Sequence, residues 1–266
     1  MNLLLFALAL SCLAVGCTSY NILVFLPLPG WSHYVQVQPI FQALAERGHN
    51  LTVLSPFPPK KPIKNFNHIY LGVEKWTQMM ADWNPMESFK FSHPIELLHV
   101  WKDMADLIVP EVFKSTALRN LFGSKFDLVF LELFFAQEAF VVLGRLFDAH
   151  IVTCSSFGYS PQILKLLGAT NAFSYIPHKD LPYAGPMKLW ASLDNALMSY
   201  TTMVYVDFFY YPAHDEVMLN TYLVGTPPPP SQRCCKTSRS SSSRLTQPLT
   251  ALNCIRLALS KLPGCI

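Results

Sequence analysis

Four kinds of feature are scarce or missing in this chain of 266 residues, and each absence narrows the reading. No run approaches the roughly 20 apolar residues that a membrane-spanning helix needs. The stretch 128–147 is interrupted by Glu132, Glu138 and Arg145, and 198–211 is short and holds Asp207. There is no Gly-x-Gly-x-x-Gly and no phosphate loop, so neither a dinucleotide nor a nucleoside triphosphate site is announced. Acidic residues vanish after Thr226: positions 226–266 carry six Lys or Arg and no Asp or Glu. Net charge is nonetheless only +3, so no nucleic-acid partner is implied. Cysteine is nearly absent from the body, where only Cys154 occurs, the other six lying at positions 12, 17, 234, 235, 254 and 265. A disulfide scaffold is thereby excluded, and Cys154 reads as a strand residue rather than a nucleophile.

What is present begins with an apolar run over residues 1–16, too short to span a bilayer and followed by small residues. It reads as a secretory signal peptide ending near residue 19. The mature chain is then expected in the secretory pathway, in the endoplasmic reticulum lumen or secreted, with no membrane span.

The next stretch organises the rest. Asn21 to Leu26 is an apolar run suited to a strand buried on both faces, and it ends at Pro27-Leu28-Pro29-Gly30. Residues 35–47 show helical spacing of apolar residues at 37, 40, 41 and 44, with Gly48 as the stop. Leu51 to Leu54 makes a second strand, so the unit is β-α-β and the sheet parallel. His68 to Val73 can supply a third strand. Residues 74–94, with Trp76, Met79, Met80, Trp83 and Met86, are expected to be irregular core, or alternatively a wall for greasy small molecules. Residues 94–120 look helical with a break near Pro110. Phe126 to Glu132 is a buried strand, 136–147 a helix and His150 to Cys154 a strand. Two such β-α-β halves describe a Rossmann-like, doubly wound α/β sheet. Ser155 to Pro161 turns on its ligand side, and 189–219 is a long apolar and aromatic helix or helix pair. The domain expectation is a signal peptide at 1–19, one lobe over 20–225 and a basic, low-complexity tail at 226–266 that cannot bury a core.

Open parallel sheets bind ligands beyond the carboxyl ends of their strands, and His33 is expected in the loop at that end of the first strand. A helix N-terminus there disfavours an imidazolium and suits a proton-accepting ring. The strand ending at Glu132 is expected beside the first strand, so that both residues face one crevice. A neutral imidazole can then take a proton from an attacking hydroxyl while the carboxylate orients the ring and stabilises the cation. The bland alternatives are a helix-capping histidine and a solvated strand-end acid. Other patterns fail: Gly30-Trp31-Ser32 lacks the closing glycine of a nucleophile elbow, and His93, Glu96 and His99 are spread too far round a helix for one metal ion, so no metal is expected. Asn50-Leu51-Thr52 is a glycosylation sequon at a strand start, where burial is expected to hinder modification.

Pro29-Gly30-Trp31-Ser32-His33, Arg47-Gly48-His49-Asn50-Leu51-Thr52-Val53, Phe126-Asp127-Leu128-Val129 and Ser155-Ser156-Phe157-Gly158, in this order and spacing, resemble the N-terminal half of animal UDP-glycosyltransferases, the arthropod-like members most. The resemblance covers about residues 1–224. It implies one lobe of a two-lobed GT-B glycosyltransferase, binding a small lipophilic acceptor, with His33 as catalytic base and Glu132 where many members have an aspartate. The UDP-sugar is the donor in the full-length family and is held by a second lobe, so no cofactor is expected in this chain. The family's sugar-nucleotide signature is not found after 224, where the basic tail looks like the product of a shifted reading frame. The chain by itself is then expected to bind acceptors but transfer little, and its cleft face to favour association. The competing reading is a secreted, non-catalytic binding module for small hydrophobic molecules.

Overall fold

The computed structural model describes residues 19–82, 94–134, 136–156, 161–166 and 172–213. The apolar run at 1–16, residues 83–93 of the Met- and aromatic-rich stretch with His93 among them, and the basic tail lie outside the described residues. Five strands form one sheet: β1 (Asn21–Phe25), β2 (Asn50–Ser55), β3 (Phe66–Tyr70), β4 (Leu128–Glu132) and β5 (His150–Cys154). Their order is β3-β2-β1-β4-β5 and every pairing is parallel. With helices on its faces this is the Rossmann-like α/β architecture, and the strand order reverses between β1 and β4.

β1 takes the centre because it is apolar in every inward position. Leu23 and Phe25 enter the core on one face, Ile22 and Val24 that on the other. Each fully buried side chain of this kind contributes about 1.5–3 kcal/mol, more than an edge position could recover. Helix α1 (Trp31–Glu46) covers the second face through Tyr34, Val37, Phe41 and Ala45. The buried stripe therefore differs from the 37, 40, 41, 44 spacing: Ile40 is half exposed, and Tyr34 and Ala45 complete the face instead. Gly48, at φ +93°, closes the helix by placing His49 N–H on Leu44 O at 3.1 Å and Gly48 N–H on Ala45 O at 3.0 Å. Asn50 follows directly as the first residue of β2. It is exposed rather than hidden, and its amide donates to Asn21 Oδ1 at 3.2 Å.

The first face is covered by α3 (Pro94–Lys114), after the short α2 (Glu74–Asp82) whose Trp76 is fully buried. Part of the stretch expected to be irregular is thus regular helix. Pro110 does not break α3. Ile108, Val109, Val112 and Phe113 around it are all buried, and at about 1.5–3 kcal/mol each they outweigh the roughly 3 kcal/mol an internal proline costs. The break falls at Ser115, whose hydroxyl caps α4 (Thr116–Arg119) by accepting from Leu118 N–H at 3.3 Å.

After β4 the expected continuous helix over 136–147 is instead a 3-10 turn, Glu138–Val141, followed by the single-turn α5 (Val142–Leu146). Ala136 sits at φ +60°, outside helical space. Gln137 Nε2 donates back to Phe134 O at 2.7 Å, and buried Glu138 accepts from Tyr210 at 3.0 Å, so side-chain bonds pin the segment in this tighter path. Helix α6 (Pro161–Leu166) is short. Helix α7 (Leu189–Tyr205) then runs into a π turn over Val206–Tyr210. α7 is apolar but not inward-facing in the usual sense: Trp190, Leu197 and Tyr200 are exposed, whereas Asn195, Ser199 and Thr202 are buried. Asn195 shows why. Its side chain accepts from His178 N–H at 2.6 Å and donates to Phe173 O and Ile176 O at 2.7 and 2.9 Å, tying the 172–180 loop to α7. Among the described residues no helix is long and apolar enough to cross a membrane.

Candidate active site

The carboxyl ends of β1, β4 and β5 lie side by side, since Phe25 pairs with Leu131 and Glu132 with Cys154. β1 hands over through Pro27 to Gly30, and Gly30 is the N-cap of α1 in an extended conformation. His33 is therefore in the first turn of α1 rather than in the loop before it, its N–H on Gly30 O at 3.1 Å. The helix begins four residues earlier than the apolar periodicity indicates, because Trp31, Ser32 and His33 add no inward apolar residue to that pattern. Gly30 leaves room for the imidazole: a β-carbon there would stand 3.2 Å from His33 Cδ2 and 3.3 Å from a Leu28 methyl.

Glu132 is the last residue of β4, and its Oε1 lies 2.6 Å from His33 Nδ1. The two residues, 99 apart in the chain, form one hydrogen-bonded pair. The His33 side chain is 12% exposed and that of Glu132 only 2%, so the ring is the member of the pair that a solute can reach. A carboxylate only accepts, so Nδ1 carries the proton, and in the neutral ring the accepting nitrogen is Nε2. Ser156, two residues past β5, donates its hydroxyl to the same Glu132 Oε1 at 2.7 Å. Sequence reasoning left Ser156 in a turn. The register of β5 against β4, which sets it two residues beyond the partner of Glu132, is the signal that could have singled it out.

The charge on Glu132 has a second effect. Burial pushes the Cys154 thiol up to about 12, and the Glu132 carboxylate adds to the rise, so the thiol stays protonated and is not a nucleophile. Close to His33 in the chain, Trp31, half exposed, meets Phe57 edge-on at 5.4 Å, and Phe57 also packs on the buried Tyr34. His99, considered with His93 and Glu96 as a metal ligand, instead pairs its Nδ1 with the Tyr205 hydroxyl at 2.7 Å. Among the described residues no three His, Cys, Asp or Glu side chains converge as a metal centre would require. Among the described residues His178 is a buried imidazole, 2% exposed. Burial lowers its pKa to about 4 against the opposing pull of Asp180, and it lies on the 172–180 loop.

Comparison with known proteins agrees on one family. The chain is 33% identical over 191 residues to a UDP-glycosyltransferase of Dactylopius coccus, an alignment taking in 71% of this chain and 37% of that protein. A second UDP-glycosyltransferase of the same insect is 27% identical over 62% of this chain and 32% of its own length. An ecdysteroid UDP-glucosyltransferase of Autographa californica nuclear polyhedrosis virus is 27% identical over 57% and 31%. The chain thus spans about a third of the length of the curated relatives it matches. No family model matches it.

Proposed function

The chain belongs to the UDP-glycosyltransferase family, and we propose that it forms the acceptor-binding lobe of such an enzyme, with His33 as the proton acceptor and Glu132 as the acid that orients it. The observation that carries this reading is the 2.6 Å contact between His33 Nδ1 and Glu132 Oε1 at the carboxyl end of the sheet. In the proposed step, an acceptor hydroxyl gives its proton to His33 Nε2 as its oxygen bonds the anomeric carbon of the sugar. The bond from that carbon to the UDP oxygen breaks, and the electron pair leaves with UDP. Glu132 stays ionised and stabilises the imidazolium while the step lasts. A ring fixed in place before reaction contributes about 10²–10⁴-fold by general base catalysis.

The acceptor class supported is a small lipophilic alcohol or phenol. Trp31, half exposed two residues before His33, and Phe57 beside it offer apolar surface, and the viral relatives are named for ecdysteroids. The donor would be a UDP-sugar held by the part of the relatives that lies beyond the aligned stretch. The setting is the secretory pathway, on the strength of the apolar run at 1–16.

The test is complementation. The chain is combined with the remaining segment of the Dactylopius coccus relative, and transfer from UDP-glucose to a phenol such as 1-naphthol is measured beside 1-naphthol binding by fluorescence. His33→Ala is expected to lower transfer by at least about a hundredfold and to leave binding within about twofold. Transfer undiminished by His33→Ala rejects His33 as the base.

A further inference from the structure

We propose that Ser156 is a positioning residue for this site: its hydroxyl holds Glu132 Oε1 against the imidazole, so that His33 keeps its proton on Nδ1. The inference rests on the reading of His33 and Glu132 given above and extends it to a third side chain.

Two donors converge on one carboxylate oxygen, His33 Nδ1 at 2.6 Å and Ser156 Oγ at 2.7 Å. A serine hydroxyl has a single hydrogen, and the carboxylate can only accept, so the serine is spending its one donor on this oxygen. The terminal torsion of a glutamate is broad and roughly two-fold, so the side chain does not by itself choose which oxygen faces the ring or at what angle. Glu132 is held at the ring by contacts from outside its own strand: α1 brings the imidazole, and the end of β5 brings the serine. The backbone makes that second contact rigid, because Leu133 N–H donates to Cys154 O at 3.1 Å and continues the ladder to within two residues of Ser156. The neighbouring serine does something else. Ser155 Oγ is buried and has no hydrogen-bond partner, so of two adjacent hydroxyls only that of Ser156 touches the pair.

If Ser156 is lost, the carboxylate torsion is released and the Nδ1–H form of the ring loses the fixed acceptor that selects it. The positioning role thus predicts a change in the tautomer of His33, which a merely space-filling serine would not produce. The experiment is nuclear magnetic resonance on the full 266-residue chain labelled with ¹⁵N-histidine, the His33 ring signals being assigned by their loss in His33→Gln. The unaltered chain is expected to show one tautomer, protonated at Nδ1, with a downfield, slowly exchanging Nδ1 proton. Ser156→Ala should lose the downfield proton and bring the two ring nitrogen shifts towards each other. Ser156→Thr, which keeps the hydroxyl, should restore both features, and Ser155→Ala should leave them unchanged. Should Ser156→Ala fail to fold by circular dichroism, Ser156→Cys keeps the volume with only a weak donor and is read in the same way. A His33 spectrum unaltered by Ser156→Ala or Ser156→Cys overturns the proposal, as does an equal effect from Ser155→Ala. The functional reading fails separately: transfer that survives His33→Ala would remove the base while leaving these spectra as described.

Discussion

Replacing Glu132 by glutamine keeps the length and outline of the side chain and removes its charge. The carboxamide oxygen can still accept from His33 Nδ1 and Ser156 Oγ, now 2.6 and 2.7 Å from Oε1, so the ring should stay where it is. What changes, in the step proposed above, is the energy of the imidazolium that would form when the acceptor gives up its proton. With the ring and carboxylate charges centred about 4 Å apart and an effective dielectric near 20, their attraction is worth about 4 kcal/mol. That corresponds to about a thousandfold in rate, and the amide dipole returns part of it. The expected outcome is a kcat for sugar transfer about 10²–10³ times lower, with KM for the acceptor within about threefold. Stability should hardly move, since both donors keep an acceptor. Glu132→Ala is the contrast: it strands two donors around a side chain that is 2% exposed, which should cost about 2–4 kcal/mol of stability as well as activity. Initial rates in the complemented assay and melting curves of the 266-residue chain separate the two variants. A glutamine variant that keeps more than about a third of the kcat, or that melts as early as the alanine variant, would refute a charge-stabilising role for Glu132.

Two further outcomes concern the fold. The His178 imidazole is held neutral by burial, with a pKa lowered to about 4, whereas in the unfolded chain it takes its proton near 6.5. Below pH 6.5 the unfolded chain binds that proton first, so stability falls as the pH drops from about 6.5 to about 4, by on the order of 3 kcal/mol. Urea melts at pH 7 and pH 4.5 should show this slope, and His178→Leu should flatten it; an equal slope in the variant assigns the acid sensitivity elsewhere. Gly144 faces β5 so closely that an added β-carbon would overlap Ile151 Cγ1 and stand 3.3 Å from Ala149 O. Gly144→Ala is therefore expected to destabilise by about 1–3 kcal/mol in a denaturant melt, and a neutral result would mean that α5 can lift off the strand at no cost.

β1, β2 and β4 were legible in the sequence because each is a short run dominated by apolar residues, and a parallel sheet buries both faces of its inner strands. The edge strand β3 was misplaced: it runs Phe66–Tyr70 rather than 68–73, with Asn67 and His68 inside it and Tyr70 exposed. Helix ends and continuity were less legible. Pro110 looks like a break when read locally, but the residues on either side of it are core, and their burial decides the matter. The 3-10 turn at Glu138–Val141 depends on Tyr210, 72 residues away, and no local pattern carries that bond. α7 misled in another way: its apolar residues are many, yet the buried face is chosen by Asn195, whose three hydrogen bonds hold the preceding loop.

The site itself divides along the same line between local and long-range information. His33 could be placed at the end of β1 from the turn Pro27 to Gly30 alone. Glu132 required one more assumption, that β4 lies next to β1, which the register of Phe25 with Leu131 now supplies. Ser156 required two, since β5 must also pair with β4 so that Cys154 stands opposite Glu132. Each added strand contributes one side chain: β1 leads to the ring, β4 to the carboxylate and β5 to the hydroxyl. The order β1-β4-β5 is thus what makes the arrangement possible, because three consecutive parallel strands end level with one another and their next residues share one crevice. A strand inserted between β4 and β5 would move the hydroxyl about 4.8 Å further away, beyond reach of Glu132, and leave the carboxylate with the imidazole alone.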